Sequence, residues 1–192
     1  ESSLSYAYVN GKRVARLKGE GYFQVSKDRK HPFVVQVGNL NIEVLGTCFN
    51  VYSYEENDFV ETSLIEGSVR LYDSKSPSES FILKPSQKAI YSKNNGKISF
   101  HNTDNVKETA WTQNHLVFES EKLGSVFQKI ERWYGVHIDL LCPEIANDQI
   151  SGSFKDEQLS YVMEALKFQY GFNYEITGNN VTINKSNQLK IK

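Results

Sequence analysis

The sequence predicts an α+β protein with an all-β first half and a helix-containing second half. Short apolar runs with a period of two follow one another up to about residue 101. Helical periodicity appears only after that point, and the helical part repeats itself at an offset of 36 residues. A length of 192 residues suits one large domain or two small ones, so the change of rhythm indicates two domains.

The first half is predicted to consist of short strands joined by turns. Gly38-Asn39 and Asn94-Asn95-Gly96 are turn signals that separate neighbouring runs. The alternating runs lie at 33–37, 40–44, 49–53, 60–64, 69–71, 81–83, 87–91 and 98–100. Strands at such close spacing, with no helical periodicity between them, are typical of an all-β unit.

Two amphipathic helices are predicted in the second half. Each has apolar residues on one face and a glycine at its end, Gly135 for the first and Gly171 for the second. Ser120 and Asp156 are candidate N-caps. The apolar faces consist of Leu123, Val126, Phe127, Ile130 and Tyr134, and of Leu159, Val162, Met163, Leu166 and Tyr170.

The 36-residue repeat combines each helix with two strands. Phe118 corresponds to Phe154 and Tyr134-Gly135 to Tyr170-Gly171, with no gap in the register. The predicted strands are 116–118 and 136–140, then 150–154 and 172–176, followed by a last run at 181–183. One copy cannot bury its apolar helix face alone, whereas two copies together can. A chance match of two amphipathic patterns is the alternative.

Charge and hydropathy narrow the class of protein. The chain has 22 basic and 23 acidic residues without a basic cluster, which argues against nucleic acid as a partner. No apolar run approaches the roughly 20 residues needed to cross a bilayer. The sequence begins without Met or a leader, so we expect a soluble fragment whose targeting or membrane segment lies upstream.

No catalytic or metal motif is recognisable. Cys48 and Cys142 can pair in an oxidising compartment or pack singly as small apolar residues. His137 and Asp139 share a strand face, but a metal there would need two further ligands. The acidic residues at 55–58 and 156–157 are interpreted as a solvated loop and a helix start. We therefore predict no catalytic residue, no metal site and no cofactor.

Trp111 and Trp133 raise the alternative of a sugar-binding surface. Exposed aromatic rings can stack on sugars, but large aromatic side chains are more often buried in a core. A carbohydrate-binding module remains the alternative function. An enzyme with a site assembled between the two halves is a third hypothesis.

Seven stretches of the sequence carry a family pattern: 19–25, 44–51, 66–69 and 83–85 in the first half, and 110–111, 116–119 and 131–136 in the second. Taken in order, they resemble the FecR family. The second half resembles the C-terminal region of its Bacteroidetes members. Cys48 stands where the family usually has a small hydroxyl residue, and Ser86 replaces a usual turn glycine.

The resemblance implies a domain organisation. Residues 1–101 would form a solenoid-like all-β FecR domain that lacks its first strands. Residues 102–113 would form a linker. Residues 114–192 would form an STN-like domain of two βαβ repeats, the fold of the signalling domains of outer-membrane transporters.

The resemblance also implies a function as a non-enzymatic periplasmic sensor. Family members are anchored in the inner membrane by a single transmembrane helix. Their periplasmic part binds the signalling domain of a TonB-dependent outer-membrane transporter, in Bacteroidetes often a SusC-like glycan importer. The signal reaches an extracytoplasmic-function sigma factor through an N-terminal cytoplasmic segment, which this sequence lacks.

A candidate binding site follows from the predicted sheet. A strand at a sheet edge has unpaired N–H and C=O groups, to which a partner strand can add. The last strand of a chain often lies at an edge. We therefore predict that Val181, Thr182, Ile183 and Asn184 form an edge strand that binds the partner.

Overall fold

The computed structural model describes residues 2–186, and its chain divides into two units, residues 1–112 and 113–192. The first unit is built from ten strands and one short helix. The strands are β1 (Ser3–Val9), β2 (Lys12–Gln24), β3 (Phe33–Val37), β4 (Leu40–Val44), β5 (Cys48–Ser53), β6 (Phe59–Glu66), β7 (Val69–Asp73), β8 (Ser80–Leu83), β9 (Gln87–Ser92) and β10 (Ile98–Asn102). The predicted all-β first half is therefore observed.

All ten strands belong to one curled sheet with the order β10-β9-β6-β5-β2-β3-β4-β7-β8, and β1 pairs with β2 beside it. The long strand β2 joins the two parts of the sheet. Its first part pairs with β1 and with β3, whereas its second part, Gly19–Gln24, pairs with β5. The rings of Phe81 on β8 and Phe100 on β10 lie 5.8 Å apart, so the two ends of the sheet approach each other.

The core of the first unit lies inside this curl. Alternate residues of each strand point inward and come from both parts of the sheet, as the period of two predicts. Phe49 and Leu64 from one part and Ile42 and Val35 from the other are fully buried. Side chains on the opposite, outer face are mostly polar.

Residues 102–113 were predicted as a linker, but in the structure residues 102–112 are part of the first unit. Asp104 caps helix α1 (Asn105–Thr109) by accepting a hydrogen bond from the N–H of Val106, and a 3₁₀ turn (Ala110–Gln113) follows. Polar residues at 102–109 suggested a solvated linker. They instead form hydrogen bonds and ion pairs with the outer face of the sheet, described below.

The second unit contains five strands and two longer helices in two sheets. The order is β11 (His115–Lys122), α2 (Leu123–Tyr134), β12 (His137–Leu140), a 3₁₀ turn (Pro143–Asn147), β13 (Gln149–Lys155), α3 (Leu159–Tyr170), β14 (Phe172–Thr177) and β15 (Asn180–Lys185). Strands β11 and β13 form a two-stranded sheet, and β12-β15-β14 form a three-stranded sheet.

Strand, helix and strand occur twice in this unit, and α2 and α3 are offset by 36 residues at both ends. Gly135 and Gly171 end the helices in the same left-handed conformation, each with φ of 66°. The two strands beside each helix lie in different sheets, so neither copy closes a parallel pair of its own. The STN-like assignment stays a prediction.

The helix starts differ from the prediction. Ser120 and Asp156 do not cap the helices, since the N-cap residues are Lys122 and Gln158. Both predicted caps instead have a positive φ, 49° for Ser120 and 55° for Asp156, at equivalent positions of the two copies. Short polar side chains tolerate this conformation as well as the cap position, so the sequence signal is ambiguous.

The apolar faces of both helices form the core of the second unit. Ile130 and Leu166, which are equivalent in the two copies, are buried together with Phe172, Val181 and Ile183 from the three-stranded sheet. No helix within residues 2–186 is long and apolar enough to cross a membrane.

Candidate functional site

The predicted edge strand, Val181 to Asn184, lies in the centre of its sheet. Strand β15 pairs in parallel with β12 on one side and antiparallel with β14 on the other. Val181 and Ile183 are 0% exposed. The edge location was therefore wrong, because β12 pairs with the last strand, and the paired residues, such as His137 and Asn180, are 43 positions apart in sequence. Strand addition at these four residues is not available.

Strand β12 is one outer strand of this sheet, and charged side chains cover its open side. The N–H of His137 donates to the carbonyl of Asn179 on the β15 side, so the next N–H, that of Ile138, points outward. It donates to Oε1 of Glu131 at 2.7 Å. The His137 ring lies 3.1 Å from that carboxylate and 3.2 Å from Asp139.

Strand β14 is the other outer strand. It pairs with β15 through a two-residue turn, with Thr177 opposite Asn180. The N–H and C=O groups of Thr177 and of every second residue before it face β15, so those of Tyr174 and Ile176 point outward. On the core side, the Tyr174 hydroxyl donates to the Ser160 carbonyl of α3 at 3.4 Å.

Helix α3 presents aromatic side chains to solvent beside this strand. Phe168 is 92% exposed and Tyr161 is 58% exposed. They are seven residues apart and therefore lie on the same face of the helix. Ala165 lies between them and is half-buried. The helical periodicity located the buried face of α3 but gave no reason to single out these two residues.

A second exposed apolar surface lies on β1 in the first unit. Leu4, Tyr6 and Tyr8 alternate along the strand and are all more than half exposed. Leu4 stands opposite Leu17 and Tyr6 opposite Ala15, both of which are buried. The apolar face of the sheet therefore continues onto β1, where the Tyr8 ring lies 6.0 Å from that of His31 but most of the surface stays exposed.

A cluster of buried charges lies on the outer face of the first unit's sheet. Lys88 on β9 contacts Glu108 of α1 at 2.7 Å and Glu61 of β6 at 2.9 Å. Glu108 also accepts hydrogen bonds from Ser63 at 2.8 Å and from Thr103 at 2.5 Å. These contacts attach α1 to the middle of the sheet.

The pKa shifts in this cluster favour the charged form of both partners. Burial by itself raises the pKa of Glu108, but Lys88 and the two hydroxyl donors outweigh it, and the pKa lies below its ordinary value. Burial lowers the pKa of Lys88, but Glu61 and Glu108 outweigh it and raise the pKa. A carboxylic acid that donates a proton near neutral pH needs the opposite shift.

The cysteines and the other charged residues form separate local contacts within each unit. Cys48 is half-buried and Cys142 is buried, and both are free thiols. Glu55 pairs with Lys18 at 2.7 Å on the surface, and His31 pairs with Asp28 at 2.9 Å. Among the residues that the structure describes, no group of three or more His, Cys, Asp or Glu side chains can hold a metal ion.

Neither tryptophan forms an exposed platform. The Trp111 indole donates from Nε1 to Oδ1 of Asn50 at 3.2 Å, and Asn50 donates to Glu20 at 2.9 Å. Trp133 packs against the core of the second unit. The preference for packing over sugar stacking at these two positions agrees with the structure.

Two family models match the chain, one in each unit. The model for the FecR protein matches residues 1–70, and the model for the FecR C-terminal region matches residues 115–183. No curated protein matches the chain significantly.

Two similar crystal structures, at 1.65 and 2.50 Å resolution, are of a proposed anti-sigma factor from Parabacteroides distasonis. The first is 28% identical, covers 96% of this chain and 87% of its own, and superposes with a TM-score of 0.83. The second is 29% identical, covers 94% of this chain and 83% of its own, and has a TM-score of 0.80.

Proposed function

Because the chain belongs to the FecR-like anti-sigma factors, we propose that it is the periplasmic sensor region of such a regulator. In this proposal it binds the signalling domain of a TonB-dependent outer-membrane transporter. It then relays the signal to an extracytoplasmic-function sigma factor through a cytoplasmic segment outside this sequence. The family is one of regulators, not a class of enzymes.

The observation that carries the proposal is that both FecR models match, in order, on separate structural units. The likeness to the Parabacteroides structures extends over nearly the whole chain. The match therefore covers the strands and helices of both units, and not one common motif.

The architecture of the second unit supports a protein-binding role. Two copies of strand, helix and strand pack around one core, with helices offset by 36 residues. We propose that this unit is STN-like and docks onto a domain of the same kind. Surfaces of similar architecture can pair through their sheet edges, where main-chain groups give affinity without a dedicated pocket.

Calorimetric titration tests the proposed function. We expect the chain to bind the purified signalling domain of the transporter that is encoded beside its gene, and not that of an unrelated transporter. Titration with the host glycans is the parallel measurement, because the carbohydrate-binding alternative predicts heat there instead. Binding of glycans without binding of the signalling domain would contradict the proposal.

A further inference from the structure

We propose that the open edge of β14 and the exposed face of α3 together form the surface to which a strand of the partner adds. The inference rests on the proposed function and goes beyond it, since it names the strand, the helix face and the kind of partner segment. The occupant is an extended segment of the signalling domain with apolar residues at alternate positions. The two copies of the repeat can be compared position by position, and they differ at the open edge and on the exposed helix face.

The two outer strands of the sheet differ at equivalent positions. Ile138 of β12 and Tyr174 of β14 are 36 residues apart, and both direct their N–H outward. In the first copy, Glu131 accepts that hydrogen bond at 2.7 Å. The equivalent residue in the second copy is Lys167, whose ammonium group can donate hydrogen bonds but cannot accept one. The side chain that closes β12 is therefore absent from β14.

Lys167 lies beside β14, as Glu131 lies beside β12. Its Nζ is 5.7 Å from the centre of the Tyr174 ring and 3.3 Å from Glu164. The side of α3 that carries Ser160, Glu164 and Lys167 therefore borders β14. A strand that pairs with β14 would lie along this side of the helix, with its carbonyl groups accepting from Tyr174 and Ile176.

The exposed faces of α2 and α3 also differ, and again the second copy has the less polar surface. The residues equivalent to Tyr161 and Phe168 in the first copy are Ser125 and Arg132. At 100° per residue, Tyr161 and Phe168 lie next to Glu164 around the helix axis, on the side away from the buried face. A strand added to β14 directs every second side chain toward α3. Apolar residues at those positions would cover Phe168 and Tyr161.

Edge and face together select the occupant. Outward N–H and C=O groups in an extended register pair with the backbone of another strand, and polar small molecules do not satisfy a whole row of them. Exposed aromatic rings beside the edge favour a segment that brings apolar side chains. A continuous strand meets both requirements. The edge of β12 offers neither feature, because Glu131 of α2 already accepts from the N–H of Ile138 and the Asp139 carboxylate lies beside it.

Hydrogen exchange followed by NMR tests the edge directly on the unaltered full chain. We expect the amide protons of Tyr174 and Ile176 to exchange quickly alone and to become protected when the signalling domain is added. Protection of β1 instead, or unchanged exchange at β14, would overturn the inference. So would protection of both amides before the partner is present.

Two variants test the same surface by calorimetry. Phe168→Arg introduces the residue type of the first copy at a fully solvated position, and we expect it to weaken binding at least about tenfold. Ile176→Pro removes one outward N–H donor, a change that edge strands tolerate, with the same expected loss. Val106→Arg on α1 is the matched control, because Val106 is 75% exposed, and it should leave affinity unchanged.

The outcomes separate this inference from the proposed function. If the unaltered chain does not bind the signalling domain, the proposed function is wrong and the inference fails with it. If the unaltered chain binds and Phe168→Arg and Ile176→Pro bind equally well, the inference alone is wrong. Circular dichroism and thermal unfolding confirm that each variant is folded, and the exchange measurement remains decisive if Ile176→Pro is not.

Discussion

At the scale of single residues, the buried Lys88–Glu108 pair determines how the end of the first unit is held. A buried pair of opposite charges is stable only while both charges are present, because removal of one leaves the other buried and unpaired. Glu61 is the more exposed partner of Lys88, and Glu108 is only 8% exposed. Glu108 therefore depends most on the pair.

We expect Lys88→Met to lower the free energy of unfolding by about 3 kcal/mol, since it leaves Glu108 buried and unpaired. Urea unfolding followed by fluorescence measures the change. Lys18→Met is the matched control, because its pair with Glu55 is exposed to solvent and should contribute little. Equal losses in both variants would show that the burial of Lys88 has no special role.

The lowered pKa of Glu108 predicts how this contribution varies with pH. A carboxyl group with a lowered folded-state pKa stabilises the fold above its unfolded pKa, 4.5, and loses this contribution as the pH falls through its folded pKa. The stability difference between the unaltered chain and Glu108→Gln should be constant near neutral pH and shrink in acid. Unfolding at a series of pH values measures it, and a difference that grows in acid would contradict the prediction.

At the scale of elements, the turn between β4 and β5 shows why one stretch of the FecR-like pattern needs glycine. Gly46 has a φ of 144°, which only glycine adopts readily. A Cβ atom there would lie 2.6 Å from the Cα atom of Lys27. The turn is thus fixed both by its backbone conformation and by the neighbouring chain.

We expect Gly46→Ala to destabilise the first unit by more than about 2 kcal/mol, since strain and a backbone clash add. Gly38→Ala is the control for strain alone, because Gly38 also has a positive φ but no atom lies within 4 Å of its added Cβ. Thermal unfolding of both variants gives the comparison. A Gly38→Ala variant as unstable as Gly46→Ala would exclude the contribution of the clash.

Elements were predictable from sequence wherever local pattern decides them. The period of two located most strands, and the 36-residue offset placed α2 and α3 correctly. The predicted strands with defined bounds began at Phe33, although the Asn10-Gly11 turn between β1 and β2 is a strong hairpin signal. The pairing of β12 with β15 is a long-range contact that no local pattern contains, so the edge at Val181 to Asn184 was misplaced.

At the scale of the whole molecule, the sequence indicated two units but not where the first one ends. The stretch from 102 to 113 is polar, and a polar stretch reads as solvated unless its partners are known. Those partners, Ser63, Lys88 and Asn50, lie far away in sequence on the sheet's outer face. The exposed residues of β14 and α3 were missed for a similar reason, since exposure depends on which strand occupies the centre.

We expect Trp111→Ala to loosen the last segment of the first unit, because it removes the contact of the indole with Asn50. Trypsin should then cleave after Lys107 several-fold faster, since proteolysis follows local opening. Fragment analysis by mass spectrometry measures the rate. Val106→Ala in the same helix should not change it, since Val106 is 75% exposed, and equal acceleration in both variants would contradict the role of Trp111.

The attachment of α1 to the middle of the sheet also determines how the first unit responds to tension along the chain. Without it, a pull on residue 113 would peel β10 from β9 one hydrogen bond at a time, which needs little force. Because Glu108 pairs with Lys88 and Trp111 is hydrogen-bonded to Asn50, the force would act first on β9 and β5. Several bonds must then break at once, so we expect the first unit to resist tension better than a chain held by β10 alone.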